Sequence, residues 1–201
     1  MRLKRDDRGV TLIEVLVAVT LLAIIMFPLT NAMITYLRNT NATNDRLAAS
    51  HDAQIAAAFF AQDVQSIGVR DWDVAGFALK QSVELNVAPH AGLHQCGPAG
   101  ATTPNAVVRM AWDDPAAATG RPPKVVVSYV VAGRELHRWH CAGGAFRDTM
   151  VAHNLDSVSA PQCVPSCSDP QSLSMDLTIR VLGNTTDVLT VKLFGQRRQT
   201  S

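Results

Sequence analysis

The feature that most constrains this chain is the run of residues 10–37, in which Glu14 is the only side chain that is charged at neutral pH. A helix needs about 20 apolar residues to cross a bilayer, so the run is long enough to span one. A carboxylate at membrane depth costs about 2.5–3.5 kcal/mol on insertion scales and usually has a partner. The run therefore predicts a membrane-spanning helix. The cost of placing Glu14 in it predicts that another group pairs with the carboxylate.

The residues on either side of the span predict its orientation. Four basic side chains precede it: Arg2, Lys4, Arg5 and Arg8. Such residues stay on the cytoplasmic side, although two acidic side chains in the same segment and Arg38 beyond the span reduce the asymmetry. We therefore expect a single-pass protein in the cytoplasmic membrane, with its N-terminus in the cytoplasm and everything after residue 38 outside it.

The helical pattern continues beyond the span. Apolar residues recur every three or four positions up to Gly68, which is a plausible end: Ala53, Ala56, Phe60, Val64 and Ile67. Pro28 lies inside the span, and we expect it to bend the helix or loosen one turn, because proline lacks an N–H and clashes with the preceding turn. One long helix is predicted, apolar in its first half and amphipathic in its second.

From about residue 83 the apolar period changes to two. The segments LSMDLTIRV and VLTVKLF, joined by LGNTTD, predict a C-terminal antiparallel hairpin. A second hairpin is predicted in VVVSYVVAGRELHRWHC, turning at Ala132 and Gly133, and SVELNV and NAVVRMAW predict further strands. Residues 89–104, 113–123 and 160–172 are predicted to be loops. Since a sheet must bury its apolar face, we expect an α+β fold in which the amphipathic half of the helix covers an antiparallel sheet.

The composition excludes some classes of function. A formal net charge of +1 gives no electrostatic reason to expect direct binding of nucleic acid or of acidic substrates. Aromatic residues make up 5% of the chain and are too scattered to predict a surface on which bases stack. No set of nucleophile, base and orienting group can be assembled from the sequence, so an enzyme is the least supported class of function.

Metal sites are the next class to consider. His90 and His94 have the spacing of two ligands on one helical turn, but their segment is loop-like, so surface histidines are the default. Two acidic pairs could hold calcium, but no loop-length ligand pattern accompanies them: Asp71 with Asp73, and Asp113 with Asp114. We expect neither a metal nor a cofactor.

The four cysteines all fall in the part predicted to lie outside the cytoplasm, where an even number of cysteines is expected to pair. Cys141 follows His140, a neighbour that could activate a thiolate, but successive residues of a strand point to opposite faces. Four cysteines allow three pairings. The one we favour joins Cys163 with Cys167 across a short loop and Cys96 with Cys141.

The start of the chain resembles a known signal. A short basic leader that ends in Gly9, followed by VTLIEVLVAVTLLAII with Glu14 fifth after the glycine, resembles the class III signal of type IV prepilins and type II secretion pseudopilins. That family usually has phenylalanine where this chain has Val10. The resemblance implies that a membrane-embedded prepilin peptidase cleaves between Gly9 and Val10 and N-methylates Val10.

The resemblance also implies a pilin-like fold and a division of the chain. Residues 1–9 would be the leader, 10–37 the transmembrane and assembly helix, 38–68 its amphipathic continuation, and 69–201 a β-rich globular domain outside the cytoplasm. Cleavage would create a positive amine at Val10, which could pair with Glu14 of a neighbouring subunit. At about 4 Å and an effective dielectric near 20, that attraction is on the order of 4 kcal/mol, enough to select one register between packed helices.

Residues further along the chain resemble the minor pseudopilin J group of type II secretion and related minor pilins. The residues that carry this resemblance are Asp63 late in the helix, Tyr129 on one strand, Leu136 and Arg138 on its partner, and an apolar strand that starts near Met150. It implies a subunit, not an enzyme, that initiates or caps a filament. The implied partners are prepilin peptidase, other minor subunits, the major filament subunit and the inner-membrane assembly platform.

Two alternatives stay open. A major pilin would share the N-terminal signal, and the sequence does not say which machine the filament serves: pilus, secretion or DNA uptake. The other alternative is a single-span anchored or secreted binding protein, because LTNAM offers a weak signal-peptidase site at Ala32. That alternative leaves Glu14 without an explanation.

Overall fold

A computed structural model describes residues 11–114, 121–182 and 187–198. The chain divides into two compact units, Met1–Asn44 and Asp45–Ser201. One α-helix, α1, spans Leu12–Ser66. Eleven strands follow it within the described residues: β1 Val69–Arg70, β2 Leu79–Lys80, β3 Val83–Val87, β4 Ala106–Asp113, β5 Lys124–Ala132, β6 Glu135–Ala142, β7 Ala145–Ala152, β8 Leu155–Val158, β9 Gln162–Val164, β10 Ser172–Arg180 and β11 Val188–Gln196.

In the first unit, the described residues from Leu12 onward belong to α1, which continues through Pro28 without a break in its helical assignment. The helix is long and apolar enough to cross a membrane, and its most apolar stretch has no buried residue. The predicted long helix is confirmed, although it ends at Ser66 rather than at Gly68. A bend at Pro28 remains a prediction.

The described residues of the second unit form three antiparallel sheets rather than the single sheet that the sequence predicted. The largest has the order β3-β4-β5-β6-β7. A second runs β11-β10-β8, with β9 also paired to β10, and β1 with β2 form a small third sheet. The predicted C-terminal hairpin of β10 and β11 is confirmed, with Ser172 opposite Gln196 and Arg180 opposite Val188.

The amphipathic part of α1 fills the core between the two large sheets. Its buried face consists of Ala49, Ala53, Ala56, Phe60 and Val64, and it meets inward residues such as Met110 and Tyr129 of one sheet and Leu173 and Leu193 of the other. Phe60 is fully buried, with its ring edge-on to that of Tyr129 at 5.6 Å. Burial of such a side chain contributes about 1.5–3 kcal/mol. The predicted packing of the helix on an antiparallel sheet is confirmed.

The opposite face of the five-stranded sheet carries a second apolar cluster. Val126, Val130 and Trp139 lie there. Cys96, which is buried in the loop between β3 and β4, packs against them. Residues 88–105 contain no helix or strand, as predicted for 89–104, and the disulfide between Cys96 and Cys141 fastens this segment to the sheet. Part of the loop therefore serves as a cover for the sheet.

The turn of the β5–β6 hairpin differs from the prediction by one residue. Ala132 pairs with Glu135, which leaves Gly133 and Arg134 as the two turn residues in place of Ala132 and Gly133. Gly133 has a φ of 63°, a conformation that glycine adopts without strain and that the first central position of a type II′ turn requires. Gly133 therefore takes the first turn position, and this position sets which residues of β5 and β6 pair with each other.

In two further segments the secondary structure differs from the prediction. The strand expected to start near Met150 starts at Ala145. The segment 160–172, predicted to be a loop, contains β9 and the first residue of β10. β9 is three residues long and exists because it pairs with β10 at Leu173, so no periodicity in its own sequence reveals it.

Candidate functional site

The start of α1 has the geometry of a capped helix. The carbonyl oxygen of Thr11 accepts hydrogen bonds from the backbone N–H of Glu14 at 3.0 Å and of Val15 at 3.2 Å. Thr11 is thus the N-cap and Glu14 the third helical residue, the spacing of a capping box. A carboxylate in the first turn is also attracted by the partial positive charge of the helix N-terminus. Glu14 is well placed for helix initiation as well as for contact with another molecule.

The carboxylate of Glu14 is exposed, and it has no hydrogen-bond or ion-pair partner within the described part of the chain. Gly9 and Val10, the predicted cleavage and methylation positions, lie outside the described residues. In the bilayer that α1 is long enough to cross, an isolated carboxylate is unfavourable. A group outside the described residues, or one on another molecule, would remove this cost by pairing with Glu14.

Apolar side chains surround Glu14 on every face of the helix. Leu12, Ile13 and Phe27 are 85%, 65% and 74% exposed, and the residues between them are exposed as well. A contiguous apolar surface of this extent marks contact with lipid or with other proteins. The first unit therefore combines a surface that suits a membrane with one charged group placed near the start of the helix.

In the second unit, α1 carries a carboxylate that does have partners. Asp63, which is 1% exposed, accepts hydrogen bonds from Tyr129 Oη at 2.7 Å and from the guanidinium of Arg138 at 2.8 and 2.6 Å. Tyr129 and Arg138 are opposite each other on β5 and β6. We call this group the Asp63 cluster. It fixes α1 against the five-stranded sheet through a two-pronged ion pair and a neutral donor.

The electrostatics of the Asp63 cluster follow from its burial. Burial and the negative charge of Asp63 raise the pKa of Tyr129 well above its usual value, so its hydroxyl stays protonated and donates. Burial lowers the pKa of Arg138, but the hydrogen bonds and charge of Asp63 outweigh burial and raise it overall. The guanidinium of Arg138 also lies 5.0 Å from the centre of the Phe59 ring. Three of the residues that carry the resemblance to minor pseudopilins therefore meet in one contact.

A second buried cluster was not predicted. Arg109 on β4 is fully buried; its Nε donates to Ser128 Oγ, and its terminal nitrogens donate to four loop carbonyl oxygens: those of Ala88, Pro89, Ala91 and His94. Glu84 on β3 lies 3.6 Å from Arg109 and accepts the backbone N–H groups of Leu93 and His94. Burial lowers the pKa of Arg109 despite the opposing charge of Glu84. The available sequence signal was a charged residue inside an otherwise apolar strand, NAVVRMAW.

The two histidines considered as metal ligands have different surroundings. His90 is exposed, and its Nε2 lies 2.9 Å from the carbonyl oxygen of Pro98. His94 is 4% exposed, so the prediction of a surface histidine is wrong for it. Its Nε2 lies 2.9 Å from the carbonyl oxygen of Gln81, and burial lowers its pKa. The main chain of His94 is hydrogen-bonded to Glu84 and to the buried Arg109, and these bonds hold the residue in the interior.

The acidic pairs and the cysteines also have protein partners. Asp71 binds Lys80 at 2.9 Å, and Asp113 accepts hydrogen bonds from the N–H of Arg70 and the indole of Trp72. Disulfides join Cys96 with Cys141 and Cys163 with Cys167, the pairing that we favoured. Within residues 11–114, 121–182 and 187–198, no three His, Cys, Asp or Glu side chains are grouped to hold a metal.

Comparison with known proteins gives one match. A family model, the prokaryotic N-terminal methylation motif, matches residues 4–30, which include Gly9, Val10 and Glu14. A search of curated proteins finds no match. The motif supports a type IV pilin-like protein that prepilin peptidase processes and that assembles with pilin partners. Together with the apolar helix, it also supports a single-pass membrane anchor.

Proposed function

We propose that this protein is a minor pilin-like subunit that initiates or caps a type IV pilus-like or type II secretion filament. The observation that carries the proposal is the coincidence of the methylation motif at residues 4–30 with Glu14, which has no partner among the described residues and lies near the start of an exposed apolar helix. Prepilin peptidase would cleave between Gly9 and Val10, and Val10 would be N-methylated. The role is structural, and we assign no catalytic step to the chain.

Assembly then explains the charge of Glu14. The carboxylate of one subunit would pair with the Val10 amine of a neighbour, which removes both charges from contact with lipid. An attraction on the order of 4 kcal/mol corresponds to roughly a thousandfold in an equilibrium constant. The neighbours would be other minor subunits and the major filament subunit, held at the inner-membrane assembly platform.

The assignment to the minor group has its support in the globular unit. Asp63, Tyr129 and Arg138 were singled out by the resemblance to minor pseudopilin J, and they share one buried contact. A major pilin is the second candidate, because the motif at residues 4–30 is common to both kinds of subunit. Abundance separates them: a minor subunit would be present at a small fraction of the major subunit in purified filaments.

The test of processing is the mass and N-terminal sequence of the protein from membranes of a host that has its own prepilin peptidase. A chain that starts at methylated Val10 is the expected result. A start near Met33, after a cut at Ala32, would mean that the helix is discarded and would overturn the proposal. An uncut chain that starts at Met1 would favour a plain membrane-anchored binding protein.

The test of assembly is Glu14→Ala in the same host. We expect normal insertion and cleavage but at least a roughly tenfold loss of the subunit from filaments or tip complexes, because the pairing energy is gone. Thr20→Ala is the matched control, since the Thr20 hydroxyl bonds only to the carbonyl of Val17 in its own helix. Equal incorporation of the Glu14 variant and the wild type would refute the role given to Glu14.

A further inference from the structure

The last strand of the second unit, β11, leaves one of its two sides unpaired. Within the described residues it lies at the edge of its sheet and pairs only with β10, without interruption from Val188 to Gln196. Alternate residues of an antiparallel strand direct their N–H and C=O groups to opposite sides, so half of these groups in β11 face away from β10. No described residue other than those of β10 forms a hydrogen bond with the main chain of β11.

The other sheet edges within the described residues are poorly suited to pairing. β1, β2, β8 and β9 are only two to four residues long. β3 has five residues, and Asn86 in it leaves the extended conformation with a φ of 48°. β7 carries Arg147 beside Asp148 at exposed positions. Short length, irregular main chain and charged side chains are the features that keep edge strands from pairing with other chains.

β11 has only one of these features. Its nine residues include no proline, and Lys192 is the only charged one. Val188 and Phe194, on the same face as Lys192, are 46% and 49% exposed. Leu189 and Val191, on the inner face, pack against the core but are only partly buried. A further strand beside β11 would cover this inner pair and bind the free main-chain groups.

The free main-chain groups identify the occupant as an extended polypeptide. They recur every second residue, about 7 Å apart, and another β-strand presents the complementary row. Side chains of an added strand alternate in the same way, so those opposite Leu189 and Val191 should be apolar. Lys192 forms no ion pair within the described residues. A carboxylate opposite Lys192 is favourable and a second lysine is unfavourable.

A second copy of β11 is a poor occupant. Asp187, just before β11, binds Arg46 of α1 at 2.8 Å, and Gly195 near the end of β11 lies against Val64, so β11 and this part of α1 run in the same direction. Two β11 strands joined by their free edges, with their inner faces on one side, must run antiparallel about a two-fold axis. Their α1 segments would then point in opposite directions, and the membrane-spanning stretches would join the dimer at opposite ends. One bilayer does not accommodate both.

We propose that the free edge of β11 binds an extended segment of a different protein, which adds a further strand to this sheet. The segment has apolar residues on the side of α1 and a carboxylate opposite Lys192. Main-chain hydrogen bonds supply the affinity, and the side chains opposite β11 select the sequence. This inference goes beyond assembly through Glu14 and does not depend on it.

The probe for the test is the acetylated and amidated peptide SLSMDLTIR, the sequence of β10. This sequence already pairs with β11 on its other side, with Asp176 opposite Lys192 and Leu177 opposite Val191. The target is the full-length, isotopically labelled protein in detergent micelles, and the readout is amide hydrogen exchange followed by NMR. In the free protein every second N–H group of β11 should exchange fast. Saturating peptide should slow these groups at least roughly tenfold and leave those bound to β10 unchanged.

Three results of this experiment would each overturn the proposal. The first is no slowing at β11 with peptide up to about 5 mM, a concentration that saturates even weak specific binding. The second is a loss of protection in β10, which would show that the peptide replaces that strand instead of adding to the sheet. The third is slow exchange at the free edge without peptide that depends on protein concentration, which would assign the edge to a second copy.

Charge reversal separates pairing at this edge from uptake of the peptide by the micelle. The peptide with Asp176→Lys should bind roughly fivefold more weakly to the wild type, because like charges then lie opposite each other. Lys192→Glu in the protein should reverse this preference, and because Lys192 is exposed the fold should be kept. Lys124→Glu, at the exposed start of β5 in the other large sheet, is the matched control and should leave the preference as in the wild type. An unchanged preference after Lys192→Glu would refute pairing at this edge.

Discussion

Asp63 shows how much one buried charge depends on its partners. It lies in an apolar core at 1% exposure, and three donor atoms from two side chains surround its two oxygens. A buried ion pair adds little net stability relative to apolar residues of the same volume. Its larger effect is on specificity, because only one placement of α1 on the five-stranded sheet brings Asp63 to both Tyr129 and Arg138.

Arg138→Met should destabilise the protein by about 3–5 kcal/mol, because it leaves the Asp63 carboxylate buried and unpaired. The free energy of unfolding, measured by denaturant titration of the full chain in micelles, is the readout. Arg134→Met, in the exposed β5–β6 turn, is the matched control and should change it by less than about 0.5 kcal/mol. The double variant Asp63→Leu/Arg138→Met should recover most of the loss; a cost below about 1 kcal/mol for Arg138→Met alone would contradict this account.

His137 should make stability depend on pH. Burial lowers its pKa, but hydrogen bonds to Asp148 at 2.9 Å and Glu135 at 3.1 Å outweigh burial and raise the pKa above 6.5. Because the folded state binds the proton more tightly, the stabilisation is complete below the unfolded pKa and is lost as pH rises through the folded one. His137→Gln should therefore lower the free energy of unfolding more at about pH 6 than at about pH 8.5. An equal effect at both values would refute the assignment.

For single residues, the sequence indicates an unusual role when a charged residue lies within an otherwise apolar segment. Asp63, Tyr129 and Arg138 were noted through a resemblance to a family, and the structure shows that Asp63 lies on the buried face of α1. Arg109 is a charged residue of this kind on its strand, but its partners are main-chain carbonyl oxygens of a loop whose path no local pattern predicts. His94 was misplaced for the same reason.

Between elements, α1 and β11 approach each other closely at Gly195. A Cβ atom added to Gly195 would lie 2.5 Å from the Cβ of Val64, so β11 approaches the helix at a distance that only glycine allows. Gly195→Ala should cost about 1–3 kcal/mol in the free energy of unfolding through overpacking. The double variant Val64→Ala/Gly195→Ala should lose less stability than the sum of the losses measured for the two single variants. The reason is that alanine at position 64 makes room for the methyl group added at position 195. Additive costs would show that the strand simply moves away.

The two disulfides should contribute unequally. Cys96 and Cys141 are separated by 45 residues and Cys163 and Cys167 by 4. The loop-entropy model then gives about 4 kcal/mol for the first and about 2 kcal/mol for the second. Replacing each pair by alanines and comparing midpoints of denaturant unfolding tests the order. A larger loss from the short loop would show that contacts in the native state outweigh chain entropy.

Elements that form their own periodic pattern were predictable. The alternation in β10 and β11 and the helical repeat in α1 place their apolar faces without reference to the rest of the chain. β1, β2 and β9 are two or three residues long and exist only because a neighbouring strand pairs with them. The turn of the β5–β6 hairpin was misplaced by one residue because both Ala132 and Gly133 are compatible with a turn until the cross-strand pairing is known.

For the whole molecule, the proposed removal of the leader would change the formal net charge. Residues 1–9 contain four basic and two acidic side chains, so cleavage after Gly9 takes the formal net charge from +1 to −1. The mature protein should focus at a more acidic pH than the value of about 7.8 calculated for the full sequence. Two-dimensional gels of membranes from hosts with and without prepilin peptidase give the comparison. A variant with Gly9→Leu should keep the basic position, and its acidic shift would contradict cleavage at this glycine.

At the same scale, the sequence predicts the membrane-spanning helix and the β-rich unit, but not the molecules that bind them. A run of apolar residues with one carboxylate is visible without a structure, and so is the change to a period of two. The proposed partner of Glu14 belongs to another molecule, so no pattern within this chain encodes it directly.

The way Arg109 holds its loop bears on how this protein can diversify. The guanidinium binds main-chain carbonyl oxygens, which every amino acid carries, so most side chains of residues 88–94 can be exchanged without loss of the anchor. Gly92 is one exception, because a Cβ there would lie 2.2 Å from a Glu84 carboxylate oxygen, and the buried Pro89 and His94 are two others. The same scaffold can thus present different surface sequences, as an antibody framework does with its binding loops.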